Sequence, residues 1–530
     1  MTSTSSSNPV KGEKSDARAL RDQLRDALPA GFNCKTRYLH SPPKPCDSLF
    51  SSLPGQNPEK TRLASHFLTV SVDATALPQP GKGDVINFAI QVLVYTTKRL
   101  TTIFVSKVDS TAYIPRIKPS PVKTVVTTFL KWLAEKERRK RPDRKIVVSL
   151  FARAQSQYLF PGSSDDKGKH VLDDRQLIRW WARVLDPIIP SSETDGAGKE
   201  QDPRYQGYLT IPGYAKTELR SFLPPNTTTA EPRWLPGHPL LELGRSRGVP
   251  EHAPPRCLLP RFPDDPKARF ISELDDEIGV SQDSQLTASP SKVKSARWKS
   301  VMSLDQFWEQ MEFRQECSSG RIVGFLWLVI SPNKDEGDDV FGSDNVAVAN
   351  ADGQDSTTSL DLAPTSDPNS TAATSGSPKK RKRKPLTGVI IPRLPRIKST
   401  QSNLLDMQAQ LDAESGDGVL VSADGYDKAM SAMLHLDFST LEAAIWSTTK
   451  WIAEVQSIAG LNGDFAADVS GTAKVEIVAS YVAANGTGVN DMSGMIRKKR
   501  KAAPAAQETQ QPAVNVLGSG MVRKKPKPSS

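Results

Sequence analysis

The sequence predicts an α/β fold, a central mixed β-sheet surrounded by helices, interrupted by a long disordered insertion and followed by a disordered tail. Three observations lead there. Strand-like alternation of apolar and polar residues recurs between Ala64 and Lys107. A stretch with helical spacing and then a short apolar run follow it directly. Two tracts, residues 332–420 and 461–530, carry polar residues and no hydrophobic period.

The alternating region reads as three strands, HFLTVSVDA, VINFAIQVLVYT and TTIFVSK, with LPQPGKGD turning between the first two. The second is apolar enough to be covered on both faces. Val122, Val125, Val126, Phe129 and Leu133 then recur at helical spacing, and the basic end of that helix suits its negative dipole terminus. KIVVSLFA, residues 145–152, reads as a buried strand. Asp173 caps a helix with Leu177, Trp181, Val184 and Leu185 on one face, and Trp180 beside Trp181 leaves it in a different direction. Residues 187–257 read as an irregular excursion with isolated anchors such as Trp234. A helix is expected from about Pro266, another from Ser303, and a buried strand in GRIVGFLWLVIS. Order returns at Tyr426, in a helix with Leu441, Ile445, Thr448, Ile452 and Val455 on one face and a capping box of Ser439 with Glu442.

Composition narrows the possibilities. A length of 530 residues alone suggests about three domains. With 41 Pro, 33 Gly and 37% hydrophobic residues, one domain with long tails fits better. The expected layout is a disordered N-terminus (1–15), a main domain (16–331), the insertion (332–420), a returning helical part (421–460) and a basic tail (461–530). A net charge of +11 favours an acidic partner. Cys34, Cys46, Cys257 and Cys317 form no Cys-x-x-Cys pair, so no metal is expected. The absence of a 20-residue apolar run or hydrophobic leader predicts a soluble, intracellular, reduced protein with no membrane contact.

Several motifs rise above this background. KKRKRK, residues 379–384, has the form of a nuclear import signal read by import factors; the alternative is a solvated charge run. SGMIRKK (493–499) and SGMVRKK (519–525) repeat as two basic arms suited to acidic partners, and the lack of interleaved aromatics argues against sequence-specific nucleic-acid reading. In FPDDPKARF, Asp264 and Asp265 stand beside Lys267 and Arg269; buried together, like charges would raise one carboxylate as a proton shuttle needs. The competing explanation is a helix amino end with acidic caps and exposed bases. VSKVDSTAY, SQYLFP and KHVL with RWW look too constrained for ordinary loops, although an aromatic residue taken singly is more often core. No phosphate-cradling glycine loop, Ser/His/Asp arrangement or Arg-x-x-Gly-x-Gly pattern is present.

At these same segments the sequence resembles the fungal histone H3 acetyltransferases of the regulator-of-Ty-transposition family, relatives of the CBP-type acetyltransferases. IFVSKVDSTAY, SQYLFPGSSDDKGKHVL with RWW, and FPDDPKARF carry the resemblance, in order and in spacing, over about residues 65–331 and 426–455. It implies a CBP-type fold and acetyl transfer from acetyl-CoA to lysine fifty-six of histone H3, with weaker action on tail lysines. That activity depends on histone chaperones of the anti-silencing-function and NAP-like types and serves nuclear chromatin assembly, replication and the DNA damage response. The implied coenzyme site comprises Val108, Asp109, Ser110, the stretch Arg116, Ile117, Lys118, Pro119 and Ser120, then Phe151, Gln155, His170, Val171, Leu172 and Trp180. Asp265 becomes the acid/base candidate, with Asp264, Asp109, Arg269, Trp181 and Tyr158 in support, and Lys267 matches the lysine that the family acetylates on itself. The rival expectation is a catalytically inactive chromatin scaffold that binds histone chaperones.

Overall fold

A computed structural model describes residues 18–53, 56–115, 117–190, 203–225, 232–278, 297–314, 321–332 and 418–474. The expected import signal, the basic arms, Arg116 and Cys317 lie outside the described residues. Among the described residues an 11-stranded sheet forms the backbone of the fold. The three alternating segments form an antiparallel meander, β3 (Thr61–Asp73), β4 (Asp84–Thr96) and β5 (Leu100–Ser110). Helix α1 (Leu20–Ala27) precedes the sheet, and the basic helix α2 (Pro121–Lys140) leads from β5 into β6 (Lys145–Ala152), which lies parallel to β5. Strand β9 (Gly324–Ser331) pairs antiparallel with β6, followed outward by β7 (Arg204–Thr210) and β8 (Trp234–Pro236). On the other side of the meander, β1 (Asn33–His40) pairs with β3 and, in parallel, with β10 (Val419–Leu420), while β2 (Lys44–Cys46) pairs with β3.

Alternation along the central strands sends side chains into two separate cores. Ile146, Val148 and Leu150 of β6 enter one core with Phe129 and Leu133 of α2 and with α3 (Asp174–Leu185). Val147 of β6 and Phe325, Trp327 and Val329 of β9 enter the other, closed by α5 (Leu240–Arg247), α6 (Ala268–Asp276) and α7 (Leu304–Glu312). Both faces of β4 are therefore buried, as its near-continuous apolar sequence requires.

Several expectations need correction. The excursion at 187–257 holds β7, β8, α4 (Lys216–Leu219) and α5, because Trp234 docks over Gly207 and makes a short strand possible. Two helices follow the insertion, α8 (Ala423–Leu434) and α9 (Leu441–Ala459); α9 is capped by Thr440, which accepts from the Ala443 amide, not by Ser439. Its buried stripe is Ala444, Ser447, Thr448, Trp451 and Val455. The fold also passes residue 460: β11 (Ala467–Ser470) pairs with β1, and Asp464 holds Arg37 at 2.7 Å. Arg37 is completely buried, so its guanidinium needs both Asp84 and Asp464, and this tether draws the chain back to the sheet. The same guanidinium lowers the Asp464 carboxyl below the usual range.

A buried imidazole sits on β3. His66 lies 2.6 Å from the Tyr38 hydroxyl through Nδ1, and burial, then His40, Lys136 and Lys140, push its pKa well below the usual 6.5. His238 is lowered too, chiefly by burial. Below about pH 6.5 the unfolded chain takes up protons at these sites more readily than the folded chain, so stability falls as the pH falls, by up to ~1.4 kcal/mol per unit for each group. Urea titrations at pH 7.0 and 5.5 should show this loss, with a smaller pH difference for His66→Gln; equal midpoints at both pH values for the wild type would contradict it.

Candidate active site: the cleft where β5 and β6 part

β5 and β6 are paired only from Leu100 with Lys145 to Phe104 with Ser149. Beyond that point β5 stays with β4 as far as Ser110, and β6 stays with β9 as far as Ala152. The two strands therefore diverge, and the wedge at their carboxyl ends holds a cavity of about 580 Å³. Ligands favour this position in sheets with parallel strands, outside the carboxyl ends where a crossover helix begins. The amino end of α2 reaches the cavity through Ser120 and Val122 and brings the positive pole of the helix dipole with it, a setting that suits phosphate.

The walls come from segments remote in sequence. Val108, Asp109 and Ser110 end β5, and Ile117 and Ser120 follow in the loop; Lys118 and Pro119 do not reach the lining. Phe151 of β6 and Gln155 form the opposite wall. His170, Val171 and Leu172 cross the mouth, and Val171 is 45% exposed. Asp173 then starts α3 with a full capping box to Gln176, which fixes where the helix presents Trp180 and Trp181. Both indoles line the cavity, packed edge to face with centroids 4.9 Å apart, although divergent directions were expected for them.

Asp109 holds this architecture together. Its carboxylate accepts from the amides of Ser110 (2.8 Å), Tyr158 (2.7 Å), Leu159 (2.9 Å) and Phe160 (3.3 Å), and from the Lys169 ammonium at 2.9 Å. Lys169 also donates to Ser163 Oγ, and the lysine and aspartate side chains are both almost fully buried. With every direction taken by a donor, Asp109 ties the loop of residues 153–169 to the end of β5. Tyr158 lines the cavity and donates its hydroxyl to the Arg153 carbonyl; burial, then the Asp109 charge, pushes the phenol up to about 12. The back of the same loop rests on the link between α8 and α9, where Phe160 meets Phe438 edge to face and the Phe438 amide donates to Pro161.

FPDDPKARF lies beside the cavity and outside its lining. The carboxylate dyad expected there does not form, because each aspartate has its own ammonium. Asp264, at φ 55° and mostly exposed, accepts from Lys107 at 2.9 Å. Asp265 has a fully buried side chain and accepts from Lys267 Nζ at 2.6 and 2.8 Å, and from the Lys267 amide. The Lys267 ammonium stands 5.0 Å from the ring centre of Phe325. Arg269 turns outward to Glu273 and is not brought to the cavity. A file of rings connects the two places: Phe151 in the cavity wall meets Phe104, and Phe104 stacks on Phe262 at 4.0 Å.

Sequence reasoning missed Lys107 and Lys169, which sit inside singled-out motifs. The signal available was position: Lys107 stands two residues before Asp109 and Lys169 directly before His170, both already named. Among the described residues, no group of three His, Cys, Asp or Glu side chains is placed to hold a metal ion, and no helix is long and apolar enough to cross a membrane.

Comparison with known proteins adds a family to this geometry. The model of the histone acetyltransferase KAT11-type domain matches residues 20–144 and 138–454. The histone acetyltransferase rtt109 of Aspergillus flavus is 39% identical over 478 residues, 83% of this chain and 82% of that protein. The protein of the same name from Schizosaccharomyces pombe is 29% identical over 315 residues, 58% of this chain and 71% of its own length. The crystal structure of Rtt109 from Aspergillus fumigatus is similar with a TM-score of 0.63 at 36% identity, covering 86% of this chain and 99% of that chain.

Proposed function

The chain belongs to the fungal Rtt109 histone acetyltransferases of the KAT11-type family and is a histone lysine acetyltransferase; on that premise we propose that the cleft between β5 and β6 takes acetyl-CoA and serves a lysine of histone H3. The carrying observation is the convergence of Val108 to Ser110, Phe151, Gln155, His170 to Leu172 and Trp180 on one cavity. Its apolar walls suit a pantetheine arm, and the amino end of α2 suits the phosphates. When bound, acetyl-CoA supplies an activated acetyl thioester.

The attacking lysine has to lose a proton, and Asp265 is the base in this reading. Its carboxylate starts out bound to the Lys267 ammonium. Acetylation of Lys267 forms an amide at Nζ, releases the thiol and a proton, and leaves Asp265 without a counter-charge. The modification removes the ammonium that occupies the carboxylate and so frees Asp265 to accept the proton of the substrate lysine. Peptide mass mapping of active protein is expected to find acetyl-Lys267, and fully active protein with Lys267 uniformly unmodified would refute this assignment.

The finer reading places the enzyme in the nucleus. It acts on the H3–H4 complex, at lysine fifty-six first and tail lysines second, with histone chaperones of the anti-silencing-function and NAP-like types presenting the substrate. The associated processes are chromatin assembly, replication and the DNA damage response. Import factors would read residues 379–384, and the basic arms beyond Arg497 would meet acidic chaperones. Labelled acetyl-CoA assays with H3–H4, with and without chaperone and with site mapping, test this. Label confined to H4, or no label with either chaperone, counts against it.

A further inference from the structure

We infer that Lys107 is a positioning residue for acetyl transfer: a strand bulge aims it at Asp264, and the resulting ion pair fixes the loop carrying Asp265 and Lys267 against the edge of the cavity. The inference rests on the reading of that cavity as the acetyl-CoA site.

The bulge is visible in the pairing of β4 with β5. Leu93 faces Phe104 and Val92 faces Val105, but Gln91 faces Lys107, so Ser106 is an extra residue. In an unbroken strand, residues three apart point to opposite faces, and Phe104 and Lys107 would diverge. One inserted residue reverses that parity, so both belong to the face that packs on residues 262–267. The hydrophobic pattern agrees, since Val105 and Val108 both belong with the opposite core.

The loop of residues 262–267 thus has two anchors on β5. Phe262 stacks on Phe104 at 4.0 Å with planes 4° apart, and Asp264 accepts from Lys107 at 2.9 Å. Lys107 lines the cavity and keeps 27% side-chain exposure, so one residue borders the coenzyme space and holds the loop through its ammonium. Asp264 is the one described non-glycine residue at positive φ, a conformation that an aspartate adopts at a cost and that needs an outside contact to hold it. The Asp265 to Lys267 pair follows immediately. A loop displaced by about 1 Å can lower a transfer rate by about a hundredfold without weakening ligand binding.

The test uses full-length protein with H3–H4 substrate and acetyl-CoA. Lys107→Met is expected to lower kcat by roughly tenfold or more while the KM for acetyl-CoA changes less than about threefold. Lys107→Arg, which keeps a donor for Asp264, should recover at least about half of the lost kcat. Asp264→Asn should lower kcat similarly, and the double variant should be no worse than either single one. Calorimetric titration of acetyl-CoA into wild type and variants separates the two claims. No binding by wild type removes the site reading itself. Binding with an unchanged kcat for Lys107→Met, an arginine variant no better than methionine, or multiplying defects in the double variant overturns the positioning role alone. Should Lys107→Met not fold, the comparison of Asp264→Asn with Lys107→Arg decides.

Discussion

Asp109→Asn is expected to be the most damaging single substitution in the cleft. The change leaves the Lys169 ammonium buried without its counter-charge and turns an amide NH₂ toward donors that need an acceptor. Breaking a buried pair from one side costs about 3–5 kcal/mol. The loop of residues 153–169 should then lift from β5 and take Tyr158 and the approach to His170 with it, so acetyl transfer should fall by at least about a hundredfold. Chemical denaturation and initial rates measured on one preparation check both parts. Asp109→Asn with wild-type stability and near wild-type rate would show that the backbone amides, and not the carboxylate, hold the loop.

The second large effect concerns Asp265 and separates chemistry from packing. Asp265→Asn should lower acetyl transfer by about 10²–10⁴-fold if the carboxylate is the base. The same change strands the Lys267 ammonium and should cost about 3–5 kcal/mol where Lys267 is unmodified. Lys267→Gln, which imitates the acetylated side chain, removes the charge. The double variant Asp265→Asn with Lys267→Gln should therefore regain stability and stay inactive. If the double variant regains both, Asp265 is a partner for Lys267 and the proton leaves by another route.

Much of the fold was legible because the strands announce themselves by period and burial. β4 reads as a central strand since only Asn87 and Gln91 interrupt the apolar run VINFAIQVLV, and α3 opens on Asp173, the aspartate expected to cap it. β1 escaped because NCKTRYLH interleaves Arg37, buried only by virtue of Asp84 and Asp464, contacts separated from it by 47 and 427 residues. β7, β8 and β11 are short and depend on neighbours for their edges, which no local window contains.

The residues of the candidate site stood out in the sequence, but their arrangement did not. Most residues expected at the coenzyme site line one cavity, but the sequence offered no hint that Asp109 spends its carboxylate on four amides and a lysine. Nor did proximity along the chain foretell the carboxylates of FPDDPKARF: a left-handed turn at Asp264 sends neighbours to different ammonium groups, Lys107 on one side and Lys267 on the other. The parity reversal at Ser106 lies at the same level, since a bulge is a property of two strands and only their register reveals it.

On the proposed function, the wedge opened by β5 and β6 receives acetyl-CoA. Calorimetric titration of the coenzyme into full-length protein, wild type and Trp180→Ala with Phe151→Ala, addresses it most directly. Saturable one-to-one binding by the wild type, weakened at least about tenfold in the double variant, is the predicted result. Binding that is undiminished when both aromatic walls are removed, or absent from the wild type with H3–H4 present, contradicts it.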